Sequence, residues 1–334
     1  MKKVALLLFA SLMAHGASEP APSPAYTASR LDKVLFTSIA AAGQTPVAVG
    51  DRGVIVRIEQ QQPVQQISPV SSMLTQVRFV SDKVGFAVGH NATILKTEDG
   101  GKRWRIVYRD VKGQRPLLAV HFITAEQGFA IGAYGLFLRS EDGGESWQAE
   151  LHDGFVNADD RAYLQEIRQD SEESYRSELA AILPHLYAMA DDGRGHLLIA
   201  GEMGLVARSD DAGRHWQRLS TGYQGTFFTA AATGAGSWLV GGLRGHVFRT
   251  DDDGQRWQAI PVPADISVNG LDVQRDGSVV LTNNNGDVYI SQDGYLFTRR
   301  EDHLAQVSMA ALNSEAGLWV ATDEGLKLLP KEHP

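Results

Sequence analysis

Apolar residues along this chain fall in short runs and alternations, not in helical stripes. Around Phe86, Val88, Ile94 and Leu95 the apolar positions alternate, break at a glycine-containing turn and resume. That is the pattern of half-buried and buried antiparallel strands joined by short hairpins. The pattern returns. Gly85-Phe-Ala-Val-Gly89 running on to Trp104, Gly128-Phe-Ala-Ile-Gly132 running on to Trp147, Leu197 to Trp216, and Trp238 to Trp257 nearly superimpose.

Each strong copy reads as an apolar strand, a Gly-x-x-Gly-like turn, a second strand closing on Lys or Arg, then Ser/Thr-x-Asp-x-Gly-x-x-Trp. Val47 to Ile58, Val279 to Phe297 and Leu318 to Leu329 repeat only the strand-turn-strand part. The first turn position of the copies falls at 50, 89, 132, 201, 242, 283 and 322, and a spacing of about 40 residues marks propeller blades. Only the interval from 132 to 201 is longer. It reads as an insertion between the third and fourth copies, not as a missing blade.

A further strand candidate precedes each hairpin, for example Val77 to Val80 and Leu118 to Phe122, and another follows the Trp, for example Trp147 to Leu151. The expected fold is therefore all-β: a seven-bladed β-propeller of four-stranded antiparallel blades. The seventh copy stops at Leu329 with too little chain after it for an outer strand. An uncovered strand edge is a pairing liability, so residues 25 to 31 are expected to close the ring as a strand. Residues 18–30, with Pro20, Pro22 and Pro24, form a leader containing that strand, and 31–334 form one propeller domain.

Within the insertion, about 152–184, the period changes. Ala162, Tyr163, Leu164 and Ile167, then Tyr175, Leu179, Ile182 and Leu183, recur at three- and four-residue spacings, which predicts one or two helices. Asp159 and Asp160 favour the helix start and Pro184 ends it. From Asp159 to Glu178, seven acidic residues stand against Arg161, Arg168 and Arg176. Such a face is either a solvated decoration or a docking element for a cationic or amphipathic partner.

Composition narrows the function classes. The 43% hydrophobic and 21% charged fractions are those of a globular protein, and 34 glycines suit many tight turns. A formal charge of −9 with no cluster of Lys and Arg argues against nucleic acid as partner. Zero cysteines remove disulfides, thiolate metal sites and a lipid-bearing cysteine. Lys2-Lys3, the apolar run Val4 to Met13 and small residues around Ala14 to Ala17 form a tripartite signal peptide over 1–17. The run is too short for the roughly 20 residues that span a bilayer, so the expectation is export to a bacterial periplasm.

The Ser/Thr-x-Asp-x-Gly-x-x-Trp segments are Asp boxes: Asp99 with Trp104, Asp142 with Trp147, Asp211 with Trp216, Asp252 with Trp257, and a reduced form at Asp293. Their hydroxyl and carboxylate bond within the hairpin, glycine supplies the turn and Trp packs on strands. Asp251-Asp252-Asp253-Gly254 resembles a calcium loop, but such a loop needs six or more spaced oxygen ligands. No metal, cofactor or catalytic residue is assigned.

On Gly-Phe-Ala-Val-Gly followed by Ile-Leu-Lys-Thr-Glu-Asp-Gly-Gly-x-x-Trp, with echoes from about 47 to 329, the chain resembles Asp-box, or bacterial-neuraminidase-repeat, propellers. Most closely it resembles the photosystem II stability and assembly factor-like family. The resemblance implies a non-enzymatic seven-bladed protein, not itself membrane-spanning, that during membrane-protein assembly binds a partner protein that is membrane-embedded or envelope-associated. Similar propellers near RND-type exporters imply service to an envelope transport complex. That family's photosynthetic members carry an arginine patch; here the matching turns offer Arg52 and Arg244.

The alternative is a sialidase-like glycoside hydrolase or a carbohydrate-binding propeller. A sialidase needs an arginine triad and a Tyr nucleophile paired with Glu. Tyr134 and Glu202 occupy equivalent turns, but the Arg-Ile-Pro signature before the first blade is missing. Because the insertion follows an outermost strand and precedes an innermost one, it should share a face with the inter-strand turns, opposite the Asp boxes. The expected binding surface is that face: Arg52, His90, Asn91, Tyr134, Glu202, Met203, Arg244, Asn284 and Asn285.

Overall fold

In the computed structural model, residues 21–331 are described except 263, 264, 301–303 and 305. The expected signal peptide, 1–17, lies outside the described residues. Seven antiparallel sheets follow one another, each a simple meander of consecutive strands. The inner strands are Phe36–Ala42, Leu74–Phe79, Leu117–Phe122, Leu186–Asp191, Phe227–Gly234, Val268–Val273 and Ser308–Ser314. Six sheets have four strands and the seventh has three among the described residues. Helices α1 (Ala158–Asp170) and α2 (Glu172–Ile182) interrupt the series between the third and fourth sheets. No helix among the described residues is long and apolar enough to cross a membrane.

The apolar core is divided into layers between neighbouring sheets. Val47, Ile55, Leu74, Ala87 and Trp104 fill the gap between the first and second sheets; Phe86, Ile94, Leu117, Leu138 and Trp147 fill the next. Each Asp-box Trp thus packs back onto the preceding blade. Around the channel, side chains of one inner strand accept backbone N–H bonds from the next. Ser38 accepts from Val77, Gln76 from Val120, Thr229 from Leu271 and Asp272 from Ala311, at 2.7–3.2 Å.

In the first four blades the basic residue near the end of the third strand is a second latch between blades. Arg57 bonds the Gly100 carbonyl, Lys96 reaches Glu145 at 2.6 Å, Arg139 donates to the carbonyls of Ala212 and Gly213 at 2.9 Å, and Arg208 to that of Asp253 at 2.6 Å. Each acceptor lies in or beside the next blade's Asp box. Within a box the bonds are those the motif predicts. Thr97 donates to Asp99, whose carboxylate accepts the N–H groups of Lys102 and Arg103, while Trp104 Nε1 donates to Gly101 O at 3.0 Å.

Ring closure differs from the expectation. Residues 25 to 31 form no strand and do not extend the seventh sheet. The amide of Gln65 captures the segment on the first blade instead, donating to Tyr26 O and accepting from Ala28 N, while Ala25 N reaches Ser68 O. Ala28 and Leu31 pack in the layer that holds Phe36, Val56, Trp319 and Leu328. A Gly325 N to Val34 O bond of 2.8 Å and a Lys33–Glu324 ion pair complete the join. First and last blades are therefore stapled by coil and side chains.

Candidate partner-binding face

Seven equivalent backbone bonds fix which loops share a face. The turn between second and third strands donates to the connector that enters the same blade: Asp51 N to Leu35 O, His90 N to Met73 O, Ala133 N to Pro116 O, Glu202 N to His185 O, Leu243 N to Thr226 O, Asn284 N to Ser267 O and Asp323 N to Val307 O, at 2.9–3.2 Å. This contact explains the repeated turn glycine. A Cβ on Gly50, Gly89, Gly132 or Gly242 would stand 2.0–2.2 Å from the connector's carbonyl oxygen. The Asp boxes bond the other set of loops, Gly100 N to Lys83 O and Gly143 N to Glu126 O. The disc therefore has an Asp-box face and a turn face, and the helices, lying in a connector, belong to the turn face.

All nine residues expected on the turn face are exposed or half-buried. Arg52, Asn91, Tyr134, Met203 and Arg244 each sit at the same turn position with φ between 50° and 58°. That left-handed conformation costs an L-residue about 1–2 kcal/mol, a cost glycine avoids. Five turns nonetheless carry side chains there, and Tyr134 and Met203 are 57% and 56% exposed.

The insertion is seated, not loosely appended. Phe155, Leu164, Tyr175, Leu179 and Leu183 join the layer between the third and fourth sheets, whereas Tyr163 stays exposed. Asn157 caps α1 by accepting from Asp160 N, and Ser171 caps α2 by accepting from Ser174 N. The extended backbone of Ser171 breaks the pattern into two helices. Arg218 clasps the insertion to the fourth blade, donating to Phe155 O at 2.8 Å and Met203 O at 2.5 Å.

Beside it an aromatic row crosses the inner strands. Tyr134 meets His185 at 4.5 Å between ring centroids, His185 meets Tyr187 at 6.3 Å, and Tyr187 meets Phe228 at 5.1 Å. Glu202 lies 3.5 Å from His185 Nδ1. Burial, with the Glu202 charge, raises the Tyr187 phenol above its ordinary pKa. Sequence reasoning missed His185, Tyr187, Phe228 and Arg218. Tyr187 and Phe228 fill the register position that Thr37 and Thr75 hold in the first two blades, so aligning the inner strands marks them out.

Tyr134 and Glu202, weighed for a sialidase-like pair, share His185 as their neighbour, and the nearby Arg218 guanidinium is engaged by backbone carbonyls. On the opposite face Asp253 joins Asp192 and His196 in a cluster of metal-ligand type. Arg194 already lies 2.7 Å from Asp192 and 2.8 Å from Asp253 there.

The family model described as photosynthesis system II assembly factor YCF48 matches residues 54–149 and 107–322 in two overlapping stretches. The chain belongs to that family. No curated protein matches its sequence significantly. Among solved structures, one described as YCF48 bound to D1 peptide is 16% identical with TM-score 0.64, covering 92% of this chain and 98% of its own. YCF48 from Cyanidioschyzon merolae is 13% identical with TM-score 0.64, covering 88% and 94%. The RRP9 WD40 repeats reach TM-score 0.65 at 11% identity, covering 91% and 92%. Shape alone thus groups this YCF48-family chain equally with WD40 propellers, and the sequence motifs decide the family.

Proposed function

We propose that this protein is a non-catalytic assembly factor that binds a partner protein on its turn face. The observation that carries the reading is the helical insertion. It is the one large departure from repetition, it is anchored in the core through Leu164 and Leu179, and its acidic side faces water beside the exposed Tyr134 and Met203. Membership of the YCF48 family, with one YCF48 structure described as bound to a D1 peptide, supports a protein segment as ligand. The signal-like amino terminus supports export to the periplasm, and the client is a membrane-protein or envelope complex, either photosynthetic or an RND-type exporter.

Deleting the insertion would open the core, so the test uses surface positions. A photo-crosslinking residue is placed at Tyr134 or Met203, and in parallel at Ser146 or Arg214 on the Asp-box face, in cells carrying the natural client. One dominant adduct from the turn-face positions, absent from the others, is expected, with mass spectrometry naming the client. Adducts of equal yield from both faces overturn the assignment.

A further inference from the structure

Nearly every polar side chain of the inner strands has a structural partner. Ser38, Gln76, Thr229 and Asp272 bond the next strand's backbone, Thr37 and Thr75 donate to neighbouring carbonyls, and His121 pairs with Asp191 at 2.7 Å. Arg78 is different. Among the described residues it is the charged inner-strand side chain with neither a hydrogen bond nor an ion pair inside 4 Å.

Arg78 lines an axial cavity of about 360 Å³ together with Gln76, Asp191 and Asp272, a volume within the roughly 300–1,000 Å³ of ligand pockets. Its side chain is exposed to the channel, projecting from the inner strand into the axial space. The charges of Asp191 and Asp272 act on it from across that space. Arg78, His121, Asp191 and Asp272 are all last or next to last in their strands, so the cluster stands at the Asp-box end of the channel, away from the turn face.

Burial pushes the Asp272 carboxyl up to about 6, against the Ala311 N–H and the Arg78 charge that lower it. His121 is 2% exposed and its Nδ1 has no hydrogen-bond partner. An anion alone would gain Arg78 and be repelled by two carboxylates; a cation alone would meet the reverse. A ligand carrying both charges satisfies both walls, since a guanidinium binds carboxylate through paired N–H donors.

We propose that this end of the channel binds a small zwitterion of the α-amino acid class, its carboxylate on Arg78 and its ammonium beside Asp272 and Asp191. The site is independent of the partner-binding face and stands or falls separately from it.

Titration calorimetry on the full protein at neutral pH tests it with L-alanine, L-leucine and L-glutamine, and with propionate and ethylamine, the two halves of alanine. Saturable one-to-one binding of at least one amino acid is expected, with both half-analogues at least tenfold weaker. Arg78→Met is expected to abolish binding. Asp272→Asn, which keeps an oxygen to accept the Ala311 N–H, is expected to weaken it about tenfold at an unchanged melting temperature. Absence of saturation by all three amino acids overturns the proposal. So does propionate binding as tightly as alanine, a result that needs no variant.

Discussion

The two faces of the disc are built on opposite terms. On the Asp-box face the loops repeat and their polar groups are consumed internally: carboxylate to N–H, indole to carbonyl, basic side chain to the next blade's hairpin. On the turn face the loops differ from blade to blade, five turns hold side chains in a backbone conformation glycine would adopt freely, and a helical pair breaks the series. The difference teaches that repetition here marks what holds the ring together, and irregularity marks what is left for recognition.

The largest expected effect lies on the Asp-box side. Arg139 holds Glu150 through two nitrogens and two carbonyls of the next blade. Arg139→Ala leaves that half-buried carboxylate with His152 alone as side-chain partner and strips the guanidinium from the two carbonyls, and should cost roughly 3 kcal/mol by chemical denaturation. Client crosslinking through Tyr134 should persist wherever the protein remains folded. Leu164 is fully buried under the insertion, so Leu164→Ala should cost about 2–5 kcal/mol. It should do so within one cooperative transition; separate melting of the helices, leaving the propeller midpoint unchanged, would break the claim that the insertion shares the core.

A pH effect comes next. The Ser146 hydroxyl, then the Ser146 N–H, hold the Asp142 carboxyl down to about 2 from an ordinary 3.8. A carboxyl depressed in the fold stabilises it above the unfolded value and loses that contribution as pH falls through the folded value. The stability difference between wild type and Asp142→Asn should be constant above pH 4 and shrink between about 4 and 2, read from melting temperatures. The smallest effect is at the turns. Tyr134→Gly and Met203→Gly should leave stability within about 1 kcal/mol, because relief of the left-handed backbone offsets the greater freedom of unfolded glycine. Loss of client binding in these same variants would sharpen the contrast between faces.

What the sequence disclosed follows from how each contact is made. Asp99, Asp142, Asp211 and Asp252 were legible because one short hairpin contains every partner of the motif. The turn-face residues were legible through their common position in the copies. The latch from Arg57, Arg139 and Arg208 appeared only as a recurring basic residue, since its acceptors are backbone carbonyls of the following copy. Arg78, Asp191 and Asp272 were invisible because three different copies supply them and only the closed ring assembles them. The coil closure was missed because Gln65 catches Tyr26 and Ala28 with a side-chain amide, which carries no periodic signature.

That coil closure also gives the disc a built-in seam. Elsewhere consecutive blades are joined by the chain itself, but the first and seventh meet without a covalent link, through a core layer holding Ile39, Val56, Ala310 and Trp319, the packing of residues 25–36 and the bonds at Lys33, Val34 and Gly325. A ring fastened in this way parts first at its clasp. Under pulling or mild heating the amide of Gly325 should exchange with solvent before its counterparts in the other blades. Transient opening there would turn the closed circle into a curved row of sheets whose order is still preserved.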